Sequence, residues 1–401
     1  MLKHFFYMFF ILIAALACTQ KESKTISVLK PEKSPVDALV EFSIPDASKE
    51  NKSYSASNGS EEFILQAAPA LLNGAGSEGN RNFCAILPAG ITGGKYAIRP
   101  AQTEPVFTFK ENEQGQLEVF EQNKPVLTYN FGMQLANDAP ERYRRSGYIH
   151  PVYDLQGNSL TDDFPEDHYH HRGISWVWPK VFVEGKRYDL WHIYGMQAEL
   201  PGIHQVFEKW LTKETGAVCT ILQLKNFWEL EDSGEKVMDE WVSIRVFRTT
   251  EFGRAIDISL TWKALASIEF EGQTKKGYGG LNFRFAPREQ TTLFSQEGNE
   301  PDSDLKNLPW ADLSAVFNNS DHFSGAAVFQ HKDNPDFPAG WCLRHYGFLG
   351  IAWPGVNRVS LNPGESITLK ARIWIHEGNA TEGMCEEAYQ AFQNPPQITL
   401  D

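Results

Sequence analysis

From residue 37 almost to the end of the chain, apolar and polar positions alternate, and the apolar ones are rich in β-branched and aromatic side chains. Residues 218–230, 241–248, 255–264 and 366–376 show the pattern most clearly. A period of two puts successive side chains on opposite faces, so each run predicts a strand with one buried face. Glycine and proline punctuate the runs at Gly157-Asn158, Asp232-Ser233-Gly234 and Asn362-Pro363-Gly364, as hairpin and meander turns require. Helical periodicity is sustained only near the C-terminus. There Thr381 would cap a helix presenting Met384, Ala388, Ala391 and Phe392 on one face and ending at Pro395-Pro396.

The strands divide into two units. Residues 36–100 read as a small β domain, and residues 101–395 as a large β-sandwich of ordinary or supersandwich build with one late helix. Without βαβ alternation, a parallel α/β sheet is excluded. Beyond the first residues every histidine lies at or after His150, so the chemistry is expected in the larger unit.

The first residues carry their own signal. Lys3 supplies a positive start, an apolar stretch covers residues 5–16, and Ala15-Leu16-Ala17 precedes Cys18. This reads as a lipoprotein signal peptide over residues 1–17, with Cys18 as the lipidated N-terminus after cleavage. The apolar stretch is short against the roughly 20 residues of a membrane span. Residues 18–35 then read as a polar, lipidated tether, which predicts a cell-envelope lipoprotein on the periplasmic or outer-surface side, attached through its lipid alone.

A net charge of −14 argues against nucleic acid as the partner. After Cys18 the cysteines are Cys84, Cys219, Cys342 and Cys385, whose spacing is no zinc pattern; disulfides are permitted in an oxidising compartment but not specified. Cys219 is expected as a small buried hydrophobe in a strand.

The densest chemistry lies in residues 162–178, where Asp167, His168, His170, His171 and Arg172 precede Trp176 and Trp178. In a strand, His168 and His170 would face one way and His171 the other. In a loop, as Pro165 and Gly173 at its flanks suggest, all three imidazoles could converge with Arg172. His168, His170 and His171 are therefore the candidate acid–base groups. Arg172, Asp167, Trp176, His150 and Arg344 are candidate ligand-binding groups. The alternative for Arg172 is a structural pairing with Asp163 or Asp167, and for Arg344 a pairing with Asp312. The ligands of a divalent metal, if one is used, would be His168 with His170, or either of them with the distant His150 or His192.

These residues also carry a resemblance. His150-Pro151, the turn at Gly157, Asp163-Phe164-Pro165 and residues 167–173 resemble a family long labelled methane oxygenase PmoA and usually treated as a domain of unknown function. Weaker matches follow at Trp310-Ala311-Asp312, His331 with Asn334-Pro335, Arg344-His345-Tyr346-Gly347 and Pro363-Gly364-Glu365. Where that family has proline between the first two histidines, this chain has Tyr169. A membrane oxygenase subunit would need several long apolar spans, and beyond the first residues this sequence has none. The resemblance instead implies a secreted β-sandwich built like sugar-processing and sugar-binding sandwiches.

The expectation is an extracytoplasmic carbohydrate-active enzyme (hydrolase, lyase or epimerase) acting on a carbohydrate or other polyhydroxylated molecule. The alternatives are a non-catalytic glycan-binding lipoprotein, whose tryptophans stack on the sugar, and a metal-dependent redox protein.

Overall fold

The structure is a computed structural model that describes residues 24–29, 34–45, 52–69, 80–136, 138–192, 200–318 and 320–400. The expected signal peptide, Cys18 and the first part of the tether lie outside these residues. Among the described residues no helix is long and apolar enough to cross a membrane.

The large unit is a β-sandwich. One nine-stranded sheet runs, in spatial order, Ser303–Asn307, Gly340–Arg344, Phe348–Ala352, Gly280–Arg284, Ile174–Val177, Tyr148–Val152, Lys124–Asn130, Gln116–Glu121 and Phe107–Glu111. The other runs Ile203–Glu214, Cys219–Leu230, Lys236–Phe247, Arg254–Ala264, Ser366–Glu377, Phe323–Gln330, Trp310–Phe317, Arg288–Ser295 and Gly298–Asn299. The four runs with the clearest period of two become four long neighbours of this second sheet, each paired antiparallel with the next. Their alternation is read out literally: Leu222, Leu224, Val242 and Ile244 enter the core between the sheets, while Cys219, Ile221 and Phe247 face the other way. A four-stranded sheet contributes Val181, Val183, Ile268, Phe270 and Leu361 to the same core.

That core is dominated by tryptophan, and a single carboxylate organises it. Glu240, fully buried, accepts hydrogen bonds from the indole N–H groups of Trp176 (3.0 Å), Trp228 (3.0 Å) and Trp262 (2.8 Å), and from the amides of Gln205 (3.0 Å) and Asn226 (2.8 Å). Trp176 belongs to the first sheet and the other four donors to the second, so the carboxylate ties the sheets face to face.

The small β domain is a seven-stranded sheet ordered Ala38–Pro45, Asn80–Leu87, Glu62–Ala67, Ser53–Ser57, Gly94–Pro100, Thr25–Leu29 and Gln397–Leu400. Two boundaries differ from expectation. Thr25–Leu29, placed by sequence in the tether, is a strand, and the last residues of the chain pair with it, Val28 opposite Ile398. The sheet's own core includes Ile26, Phe63, Phe83 and Tyr96.

The outer face of the second large sheet is covered by α1 (Cys385–Gln393) and by residues of the small domain, which share a cluster including Val36, Ile86, Val218, Ile221, Phe247, Trp310, Trp374 and Tyr389. The helix is where expected, but Thr381 does not cap it. Met384 sits at the cap position with left-handed backbone (φ 51°) and no side-chain cap bond. Ala388 and Tyr389 are buried, and Met384, Ala391 and Phe392 pack against the same cluster.

Replacing Glu240 with glutamine puts an amide donor among five N–H donors and removes the charge they converge on. Glu240→Gln is expected to lower the unfolding free energy by about 3 kcal/mol or more, read by urea denaturation; a loss under about 1 kcal/mol would contradict the hub.

Candidate functional site

The histidine-rich segment is a loop between strands Tyr148–Val152 and Ile174–Val177. Its base is pinned at both ends. Asp163 and Arg172 form an isolated antiparallel bridge, and Gly173 N–H donates to the Asp162 carbonyl at 2.8 Å. Gly173 has φ +32°, and an added Cβ would lie 2.2 Å from the Ile149 carbonyl oxygen, so the pinch requires glycine. Between the pins the chain turns twice, His168 N–H to the Pro165 carbonyl and His171 N–H to the His168 carbonyl. The loop alternative of the sequence reading is the one realised, and it brings the three imidazoles together.

They meet in a cavity of about 420 Å³, lined also by Tyr143, Glu166, Asp167, Trp191, His192, Lys276, Tyr278, Arg344, Tyr346 and Phe348. His168 stacks on His171 (centroids 4.7 Å, 8° between planes) and on Tyr346 (5.7 Å, 5°). His170 lies 4.6 Å from both His171 and His192.

Two of the four imidazoles have a carboxylate beside them. His192 Nδ1 is 2.8 Å from Asp189 Oδ2, and the His192 backbone N–H donates to Asp189 Oδ1, also at 2.8 Å. An Nδ1–H held by a carboxylate leaves Nε2 as the free acceptor. His168 Nδ1 lies 2.9 Å from Asp167 Oδ2, close enough for an ion pair but outside hydrogen-bond alignment. Asp167 also accepts from Arg284 at 2.7 Å. Burial raises its pKa, but His168 and Arg284 outweigh burial and hold the carboxyl below its usual value.

The other two imidazoles are kept neutral. Burial, then repulsion from His171, His192, His168 and Arg145, drives the His170 pKa far down. Burial, then His168 and Arg284, lowers His171, with Asp167 opposing. A buried guanidinium sets the segment that carries Trp191 and His192: Arg145 donates to the carbonyls of Leu190 and Trp191. Burial, and then Arg172, brings Arg145 down to about 9, so it stays charged at neutral pH.

Three expected ligand-binding residues lie elsewhere. Arg172 is buried and fully engaged. It donates to Asp163, to the Tyr143 carbonyl (2.8 Å) and to the Tyr148 hydroxyl (2.6 Å), and stacks on Phe164 at 3.4 Å. Of the two readings of Arg172, the pairing with Asp163 is the geometry present. Trp176 is in the core on Glu240, as an inward strand position dictates. His150 is half-buried against Thr161 (3.0 Å), and desolvation lowers its pKa. Asp167 and Arg344 do line the cavity, but Arg344 pairs with Asp304, not Asp312. Asp312 is instead 2.9 Å from His376 in a buried cluster with Cys385, where burial lowers but Cys385 and Asp312 together raise the His376 pKa well above normal.

Among the described residues the histidine cluster does not gather three ligand atoms within 4.8 Å of one another. Trp191, Tyr278 and Lys276 were missed as lining residues. The signal for His192 was local: Asp189 three residues before it, an arrangement that lets one carboxylate hold both the backbone and the ring.

Histidines whose folded pKa lies below the unfolded value near 6.5 bind fewer protons folded than unfolded. Stability is therefore unaffected by them above that pH and falls as pH drops below it. Between pH 6 and 5 the protein is expected to lose up to about 1.4 kcal/mol per pH unit more than the His170→Gln variant, by urea denaturation; parallel pH profiles would contradict a buried neutral His170.

The chain is distantly similar to several solved structures. A GH36 alpha-galactosidase from Geobacillus stearothermophilus, in complex with raffinose, is 10% identical with a TM-score of 0.35, covering 71% of this chain. This chain spans 42% of that protein. A GalM/aldose epimerase homologue from C. elegans is 9% identical (TM-score 0.30; 69% of this chain, 100% of that one). A putative aldose 1-epimerase from Klebsiella pneumoniae subsp. pneumoniae MGH 78578 is 10% identical (TM-score 0.28; 90% and 97%). At these scores the likenesses bear on no question of mechanism. No curated protein matches. Residues 116–390, which include the whole cavity lining, match the profile of a family of unknown function (DUF6807), and that match carries no methane-oxygenase label. The chain belongs to that family, DUF6807.

Proposed function

We propose that the protein is an extracytoplasmic carbohydrate-active enzyme that moves protons between imidazoles and a sugar bound in the histidine cavity. The observation that carries this reading is the pairing of two carboxylate-backed imidazoles, His168 and His192, with two neutral ones, His170 and His171, in one cavity. Neutral imidazoles each offer one donor and one acceptor, which suits hydroxyl groups. His192, oriented by Asp189, is the proton acceptor, because the carboxylate stabilises the imidazolium formed when it takes a proton. His168, beside Asp167, is the partner that returns it. Tyr346, an exposed ring on the cavity wall, offers an aromatic surface against which a pyranose can pack.

Within the earlier triad of hydrolase, lyase or epimerase, the cavity favours the last two. Glycoside hydrolysis commonly uses two carboxyl groups on opposite sides of the bond. Here the lining carboxylates are Glu166 and Asp167, adjacent in sequence, with Asp167 engaged by Arg284. Placement at the cell envelope through Cys18 is part of the same reading and rests on the sequence of the first residues.

Incubating the full chain in D₂O with a panel of glycans, keto-sugars and uronic acids separates the chemistries by NMR. Deuterium entering a C–H bond or accelerated exchange of anomers indicates an epimerase, new unsaturation a lyase, and new reducing ends a hydrolase. With the active sugar, His192→Asn is expected to lower kcat about 10²–10⁴-fold with KM changed far less. A variant that loses affinity while nothing turns over would instead assign a glycan-binding protein. Cys18→Ala is expected to move the protein from the membrane fraction to the soluble fraction; retention in membranes would overturn the lipid anchor.

A further inference from the structure

The small domain meets the large one through a row of three residues. In the small sheet, Glu41 is the register partner of Cys84, and Cys84 is the register partner of Gln66. The row therefore crosses three adjacent strands. Each member reaches the second large sheet. Glu41 pairs with Arg245. The Gln66 side chain accepts from the backbone N–H groups of Val218 (2.8 Å) and Cys219 (3.0 Å) and donates to the Cys219 carbonyl (2.9 Å). Between them the Cys84 and Cys219 sulfurs are 3.2 Å apart, both fully buried. A disulfide needs about 2 Å, so closing the bond asks for a sulfur displacement of about 1 Å, with the surrounding contacts already holding both strands in place.

We propose that Cys84 and Cys219 are a disulfide-forming pair that locks the small β domain onto the large sandwich. Its occurrence in the cell rests on the extracytoplasmic reading above, since cytosolic thiols are kept reduced. The other two cysteines are placed differently: Cys342 contacts Asp304 at 3.6 Å and Cys385 belongs to the Asp312–His376 cluster.

The chemistry is thiol–disulfide exchange with an oxidised dithiol oxidoreductase of the envelope. One cysteine, as thiolate, attacks that protein's disulfide; an S–S bond forms, the oxidoreductase's own S–S bond breaks, and one of its sulfurs leaves as thiolate. The second cysteine then attacks the mixed disulfide and releases the other sulfur. Two protons and two electrons pass from the pair to the oxidoreductase. Burial raises the Cys219 thiol well above its ordinary pKa, while Arg245 nearby favours the thiolate. Exchange therefore takes place while the two domains dock, before the sulfurs are sealed from solvent. The bond spans 135 positions of chain, so it restricts the unfolded chain strongly. It also joins the domain that follows the membrane anchor to the one that holds the cavity.

The full chain is refolded in detergent from denaturant, in a buffer of oxidised and reduced glutathione, then alkylated under denaturing conditions and mapped by peptide mass. A Cys84–Cys219 cross-linked peptide with alkylated Cys342 and Cys385 is the expected result. Alkylation at both Cys84 and Cys219 would overturn the pair. Reducing the refolded protein should lower its Tm by on the order of 5 °C, and Cys84→Ala should show no such response to reductant. An equal response in the variant would overturn the assignment. Fractionation of cells expressing the chain is scored separately: a cytoplasmic chain overturns the localisation reading without touching the pair.

Discussion

The Glu240 carboxylate is the constraint on which the sandwich turns. An ionisable group with no exposure is tolerated only when its lone pairs are met by donors, and here three indoles and two amides meet them. The arrangement inverts the usual view of a tryptophan-rich core. The rings fill volume, but three of the core indoles share one acceptor, which fixes the register between the sheets more tightly than apolar packing alone would. Because Trp176 is one of those donors, strand Ile174–Val177 is held in place, and the histidine loop enters that strand directly.

A second buried charge supports the loop from beneath. Each Arg172 nitrogen donates, to Asp163, to the Tyr143 carbonyl or to the Tyr148 hydroxyl, and the guanidinium lies against the rings of Phe164 and Tyr148, so it fixes the base of the loop that carries His168, His170 and His171. Arg145 fixes the segment that brings Trp191 and His192 to the lining by donating to the carbonyls of Leu190 and Trp191. The cavity therefore rests on two buried guanidinium groups that never reach it. Burial, followed by the crowding of neighbouring imidazoles, depresses His170 and His171, while His168 and His192 each have a carboxylate beside them.

Much of this was legible in the chain. The period of two in residues 218–230, 241–248, 255–264 and 366–376 became four adjacent long strands because half-buried antiparallel strands impose that alternation on their residues. The histidine cluster was visible because no core accommodates that mixture of side chains. What stayed hidden was direction and distance. Sequence does not distinguish an arginine in a cavity from one beneath it, so it leaves open both a ligand role for Arg172 and the pairing with Asp163 that the fold adopts. Trp176 was misjudged because a tryptophan close in sequence to the histidines alternates inward once the strand begins. His192 was visible only as a distant histidine, and the Cys84–Cys219 approach joins two domains whose docking no local pattern encodes. Thr25–Leu29 carries no strand signal of its own, because five residues in a lysine- and serine-rich stretch hold too little periodicity.

Buried charge thus sets the frame, the frame sets the loop, and the loop gathers imidazoles of two kinds around one cavity. The most direct measurement of that account is imidazole nitrogen NMR of the full chain during titration with a sugar ligand. Shifts confined to His168, His170, His171 and His192, with His150 and His376 unmoved, are predicted. Saturating ligand that leaves those four resonances in place while other histidines respond would contradict it.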